Sequence, residues 1–71
     1  MTTFQLYDRV VSRVDLPDFG VKAGAIGTVV DYHPGGAFEV DFGLDGDGNI
    51  VTAGLDADQL SPLPAVSTQA A

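Results

Sequence analysis

Cysteine and tryptophan are absent from this chain, histidine and methionine occur once each, and lysine and arginine together number three. Without cysteine there is no disulfide and no thiolate metal site, and a lone His33 cannot assemble a histidine cluster, so neither of the usual staples of small domains is open to it. A chain of 71 residues is one domain, and a domain of that size buries only about 60% of the surface its unfolded form exposes. Packing alone must hold it. No apolar run approaches the roughly 18 residues that cross a bilayer, and Met1-Thr2-Thr3-Phe4-Gln5 lacks a basic segment leading into an apolar one, so the expectation is a soluble cytoplasmic protein. Cofactors are not expected, nor is an enzyme. Ser12, Ser61 and Ser67 offer no Gly-x-Ser-x-Gly elbow, and any triad would have to borrow His33, which stands in a turn beside Pro34-Gly35-Gly36.

Cations are scarce in a particular place. Residues 1–22 hold Arg9, Arg13 and Lys22 against Asp8, Asp15 and Asp18; the remaining 49 residues hold Asp31, Glu39, Asp41, Asp45, Asp47, Asp56 and Asp58 and no cation at all. The whole net charge of −7 therefore lies after Lys22. Nucleic acids and anionic membranes are repelled by such a chain, because Lys and Arg supply most non-specific phosphate affinity. A basic protein is attracted to it.

What the chain does contain is 45% hydrophobic residues, nine glycines and four prolines, a composition of short strands and frequent turns. The pattern predicts a first strand over Gln5–Val14, then a long ordered loop through Asp15-Leu16-Pro17-Asp18-Phe19-Gly20 that tucks Leu16, with Phe19 or Val21, onto the core. A second strand runs from Gly27 to His33 and stops at Pro34-Gly35-Gly36. Ala37–Phe42 alternates strictly, Phe38, Val40 and Phe42 inward against Glu39 and Asp41 outward. Gly43–Asn49 is a wide hairpin connection into a fourth strand at Ile50–Ala53; Asp56–Leu60 is one 3₁₀ turn capped by Asp56; Ser61-Pro62-Leu63 is a short edge strand. These are the parts of an all-β, small five-stranded SH3-like barrel with one 3₁₀ turn over residues 1–63, with a flexible tail over 64–71.

The spacing Gly24-x-x-Gly27-x-Val29 resembles the kernel of KOW-type SH3-like domains, in which the glycines let the chain turn tightly into a strand. The longer series Tyr7-Asp8-x-Val10, Asp15-Leu16-Pro17, Gly24-x-x-Gly27-Thr28-Val29-Val30, Phe38-Glu39-Val40-Asp41-Phe42 and Leu55-x-x-x-Gln59-Leu60 is similar to a family of small bacterial proteins catalogued as a domain of unknown function, from about Phe4 to Leu63. The resemblance implies a stand-alone SH3-like barrel and an association with operons encoding toxin-like neighbours, where the protein acts as an antidote. It supplies no catalytic or ligand residue. Gly54 stands where a larger residue is expected in that family, which predicts a looser end to the fourth strand.

Three constellations are candidates for a site. Asp45-Gly46-Asp47-Gly48-Asn49 has the first, third and fifth oxygens of a calcium loop, but Ile50 and Asp56 fall where Gly and Glu are required, so a hairpin turn is expected and no metal. Glu39 and Asp41 lie about 7 Å apart on one strand face, an acidic stripe rather than a catalytic pair in a domain with no walls for a cleft. Tyr7, Phe19 and Tyr32 are the aromatics least clearly assigned to the core; a groove for proline-rich peptides ordinarily has more, tryptophan included. The reading is a non-enzymatic protein-binding module that recognises, and as an antidote inhibits, a basic partner through Tyr7, Tyr32, Asp31, Glu39, Asp41, Asp45 and Asp47. The alternative is a KOW-like nucleic-acid- or ribosome-associated module. Self-association through exposed edge strands is the further expectation.

Overall fold

Alternation of apolar and polar side chains becomes, in the computed structural model, one antiparallel sheet of five strands. The structure describes residues 4–63, so the tail expected from Pro64 onward lies outside the described residues. The strands are β1 (Arg9–Ser12), β2 (Ile26–Tyr32), β3 (Phe38–Leu44), β4 (Ile50–Leu55) and β5 (Leu60–Pro62), joined in the spatial order β4-β3-β2-β1-β5. No α-helix occurs among the described residues, and none of them forms a helix long and apolar enough to cross a membrane. Each strand sends residues to one core of Phe4, Val10, Val29, Phe38, Val40, Ala53, Leu55 and Leu60, with Phe4 edge-on to Phe38 at 5.5 Å between ring centroids. A small domain gains its stability here, from apolar area removed from water.

The sheet is open. A closed barrel requires its two terminal strands to pair, and β4 and β5 do not: β4 is hydrogen-bonded to β3 alone and β5 to β1 alone. Among the described residues two 3₁₀ turns are present rather than one. Ala57–Gln59 follows Asp56 at the N-cap, where the Gln59 side chain accepts the Asp56 N–H at 2.8 Å. Pro17–Phe19, expected as plain loop, forms a second, because Pro17 supplies a helical φ at its first position and Gly20 closes it with φ +69°. Across this turn Leu16 and Val21 pair as an isolated antiparallel bridge; Val21 is buried and Phe19 is left outside.

The first strand is much shorter than Gln5–Val14. A turn consumes its start: the Asp8 N–H donates to the Gln5 carbonyl at 3.1 Å, the Asp8 carboxylate accepts the Gln5 N–H at 2.9 Å, and Tyr7 takes φ +72°. Its end is consumed by Ser12, buried and turned back on its own chain, whose hydroxyl donates to the Val14 carbonyl at 2.6 Å. The fourth strand is longer than expected. Gly54 does not loosen it, since pairing continues through Gly54↔Glu39 to Leu55↔Phe38 and Leu55 is fully buried.

The two glycines of the Gly24-x-x-Gly27 kernel serve different purposes. Gly24 turns the chain, with φ +96°. Gly27 instead lets strands approach: a Cβ there would lie 2.6 Å from Val40 Cγ1 and 2.9 Å from the Asp41 carbonyl oxygen.

Two bulges aim the outward side chains. Val29↔Val40 is followed directly by Asp31↔Glu39, leaving Val30 as an extra residue in β2. Strict period-two alternation from buried Val29 would turn Asp31 inward; the bulge sends it out beside Glu39 and brings Tyr32 in against Phe38, at 5.6 Å between rings. In β3, Phe42 and Gly43 together face Val51, with Gly43 at φ +93°, which brings Leu44 opposite Ile50.

Candidate partner-binding surface

The carboxylates singled out by the sequence fall into two groups joined by β3. Asp31, Tyr32 and Glu39 sit together at its start. Glu39 Oε1 lies 2.7 Å from His33 Nε2, and this hydrogen bond, seconded by one from Thr52, holds the Glu39 carboxyl below its ordinary range against the opposing effects of burial and of Asp31. Tyr32 accepts the Leu6 N–H on its hydroxyl at 3.1 Å, tying the N-terminal turn that presents the 74% exposed Tyr7. His33 is an exposed turn residue, as its neighbours predict, and is also the hydrogen-bond partner of Glu39.

Asp41 is central, opposite Thr28 and Thr52, and its carboxylate accepts the Gly43 N–H at 2.7 Å, fixing the β3 bulge. Asp45 and Asp47 are at the far end, in the β3–β4 turn. Between Glu39 and Leu44 the strand covers about 17 Å at ~3.4 Å per residue, so the two groups are separate surfaces. Asp45 accepts the backbone N–H groups of Asp47 at 2.8 Å and Asn49 at 2.9 Å. The Asn49 and Asp47 donors hold its carboxyl below the ordinary range, as a turn-forming aspartate requires. Among the described residues no three His, Cys, Asp or Glu side chains gather where a metal could be held.

Beside this far end lies a feature that sequence reasoning missed. The first 3₁₀ turn comes alongside β4, and between them opens a groove of about 500 Å³ lined by Asp18, Phe19, Asp45, Ile50, Val51 and Thr52. Past Phe19 a second hollow of about 360 Å³ extends over Phe42 and Leu44. Phe19 is 47% exposed and Leu44 and Ile50 are each 69% exposed; Phe19 and Ile50 line the groove with Asp18 and Asp45, and Phe19 and Leu44 line the second hollow with Asp45 and Lys22. The signal in the sequence was the pair of large aliphatic residues flanking the acidic turn, Leu44 before Asp45 and Ile50 after Asn49, where a solvated hairpin ordinarily carries polar residues. Cross-strand pairing at Leu44↔Ile50 makes the two one surface.

Such an arrangement can bind: apolar anchors exclude water while fixed negative charge orients a cationic ligand. No curated protein and no solved structure matches the chain. Residues 6–62 match the model of a family described as a domain of unknown function (DUF4926). Since that match takes in most of the 71 residues, the chain belongs to the DUF4926 family.

Proposed function

We propose that this protein is a non-enzymatic binding module that recognises a basic protein partner and inhibits it by covering its surface, in the manner of an antidote. The observation that carries the reading is the exposure of Phe19, Leu44 and Ile50 beside Asp18 and Asp45. Burying such side chains against a partner supplies affinity, and the surrounding carboxylates raise the association rate. None of the ten acids lies within 4 Å of a Lys or Arg among the described residues, and acids outnumber cations ten to three, which leaves a negative field overall. An SH3-like assignment of the fold is supported by the strand order, the long loop after β1 and the 3₁₀ turn before β5. Against the KOW-like nucleic-acid alternative stand three cations and ten acids.

The test compares the protein with a Leu44→Ser/Ile50→Ser variant as immobilised bait for a lysate of the native host. A protein rich in Lys and Arg, retained by the parent, lost from the variant and eluted by rising ionic strength, is the expected result. Identical recoveries on both baits, or retention of nucleic acid instead, would contradict it.

A further inference from the structure

We propose that the free edge of β4 takes an extended cationic segment of the protein partner as a sixth strand, seated in the groove between β4 and the first 3₁₀ turn. The inference deepens the binding-module reading and rests on it. β4 is six residues long, Ile50-Val51-Thr52-Ala53-Gly54-Leu55, with no charge and no proline. Edge strands with unpaired N–H and C=O groups invite another chain, and proteins ordinarily blunt them with lysine, proline or brevity. β4 carries none of these devices in its own sequence, and what stands beside it is the first 3₁₀ turn. Among the described residues no backbone hydrogen bond joins β4 to anything but β3.

The groove borders the first half of β4. Its lining takes three consecutive β4 residues, Ile50 to Thr52, and none from β3, with Asp18 and Phe19 opposite. A paired strand runs about 4.8 Å from its neighbour with side chains alternating in direction. Apolar residues of the incoming segment therefore rest on Ile50 and Phe19 while cationic ones reach Asp18 and Asp45. No Lys or Arg lines this groove, and Lys22 lies in the adjoining hollow past Phe19. Its hydrogen-bonded position in the turn keeps Asp45 ionised, which favours the same choice of ligand. A second copy of this chain is the poorer occupant, because it brings the same Asp18 and Asp45 to the contact and a net charge of −7 of its own.

The probe is a synthetic peptide of about seven alternating Lys and Val residues, enough to span β4. Amide hydrogen exchange is read residue by residue in the full-length protein at low ionic strength. Edge-facing amides of β4 are expected to slow by roughly tenfold or more on saturation, a peptide N-methylated at alternate residues to lose that protection, a Glu-for-Lys peptide not to bind, and Ile50→Lys to abolish binding while the chain stays folded. Binding that leaves the β4 amides unchanged overturns strand addition but spares the basic-partner reading. Equal binding of the Lys and Glu peptides overturns both. Failure of the Lys peptide to bind, or β4 protection that grows with protein concentration in its absence, overturns the edge proposal.

Discussion

The two ends of the sheet solve the same problem in opposite ways. β5 is three residues long, contains Pro62, and is followed by a Leu63 N–H that donates to the Arg9 carbonyl; little of it is left to template another strand. β4 has twice that length, no proline and no charge, with a groove beside its exposed half. One edge of this small sheet is thus short and carries a proline, and the other is long, uncharged and flanked only by the first 3₁₀ turn. Within β4 the contrast repeats: Leu55 is anchored in the core and Ile50 stands in solvent.

That internal contrast gives the largest expected effect. Leu55→Ala should cost about 2–5 kcal/mol of unfolding free energy, whereas Ile50→Ala should stay within about 0.5 kcal/mol. Urea unfolding of both variants measures this, and equal losses would mean that β4 is uniformly buried. Next come two glycines in equivalent chemistry but different surroundings. Gly27→Ala, in the middle of the sheet, drives a methyl group against Val40 and the Asp41 carbonyl and should cost about 1–3 kcal/mol. Gly54→Ala, on the edge strand, places its Cβ no nearer than 3.8 Å to Glu39 and His33, without positive φ, and should leave stability unchanged or raise it by about 0.4–1 kcal/mol. Thermal unfolding separates the signs.

The smallest effect concerns the outer face of β3. Glu39 has its folded-state carboxyl lowered by His33 and Thr52, so its contribution to stability is present above its ordinary value of 4.5 and is lost as the pH falls through the lowered folded value. Unfolding midpoints followed from neutral pH downward should show wild type losing stability relative to Glu39→Gln only on the acid side. A difference between the two that is unchanged by acid would remove the His33–Glu39 pair from the account.

β3 was legible because Phe38-Glu39-Val40-Asp41-Phe42 alternates without interruption and both flanks are turns, and β2 and the second 3₁₀ turn followed from similar local chemistry. What stayed hidden depends on residues distant in sequence or on backbone states that side-chain type does not announce. Tyr7 at positive φ is not a residue type that signals a turn, so β1 read too long. The Val30 bulge leaves no trace in composition, although it decides that Asp31 faces outward. Whether a sheet closes is set by the path of β4 and β5 in space, and the apolar groove exists only because Pro17–Phe19 folds back beside Ile50. The acidic turn residues were legible as a group, and Phe19 as an aromatic loosely tied to the core; that Leu44 and Ile50 stand exposed near it was not.

Nuclear Overhauser contacts between isotope-labelled protein and the unlabelled Lys-Val peptide test the central claim most directly. Cross-strand contacts from the peptide backbone to β4, with its valines near Ile50 and Phe19, are the predicted result; contacts confined to the Tyr7–Tyr32 end, or to β5, would contradict it.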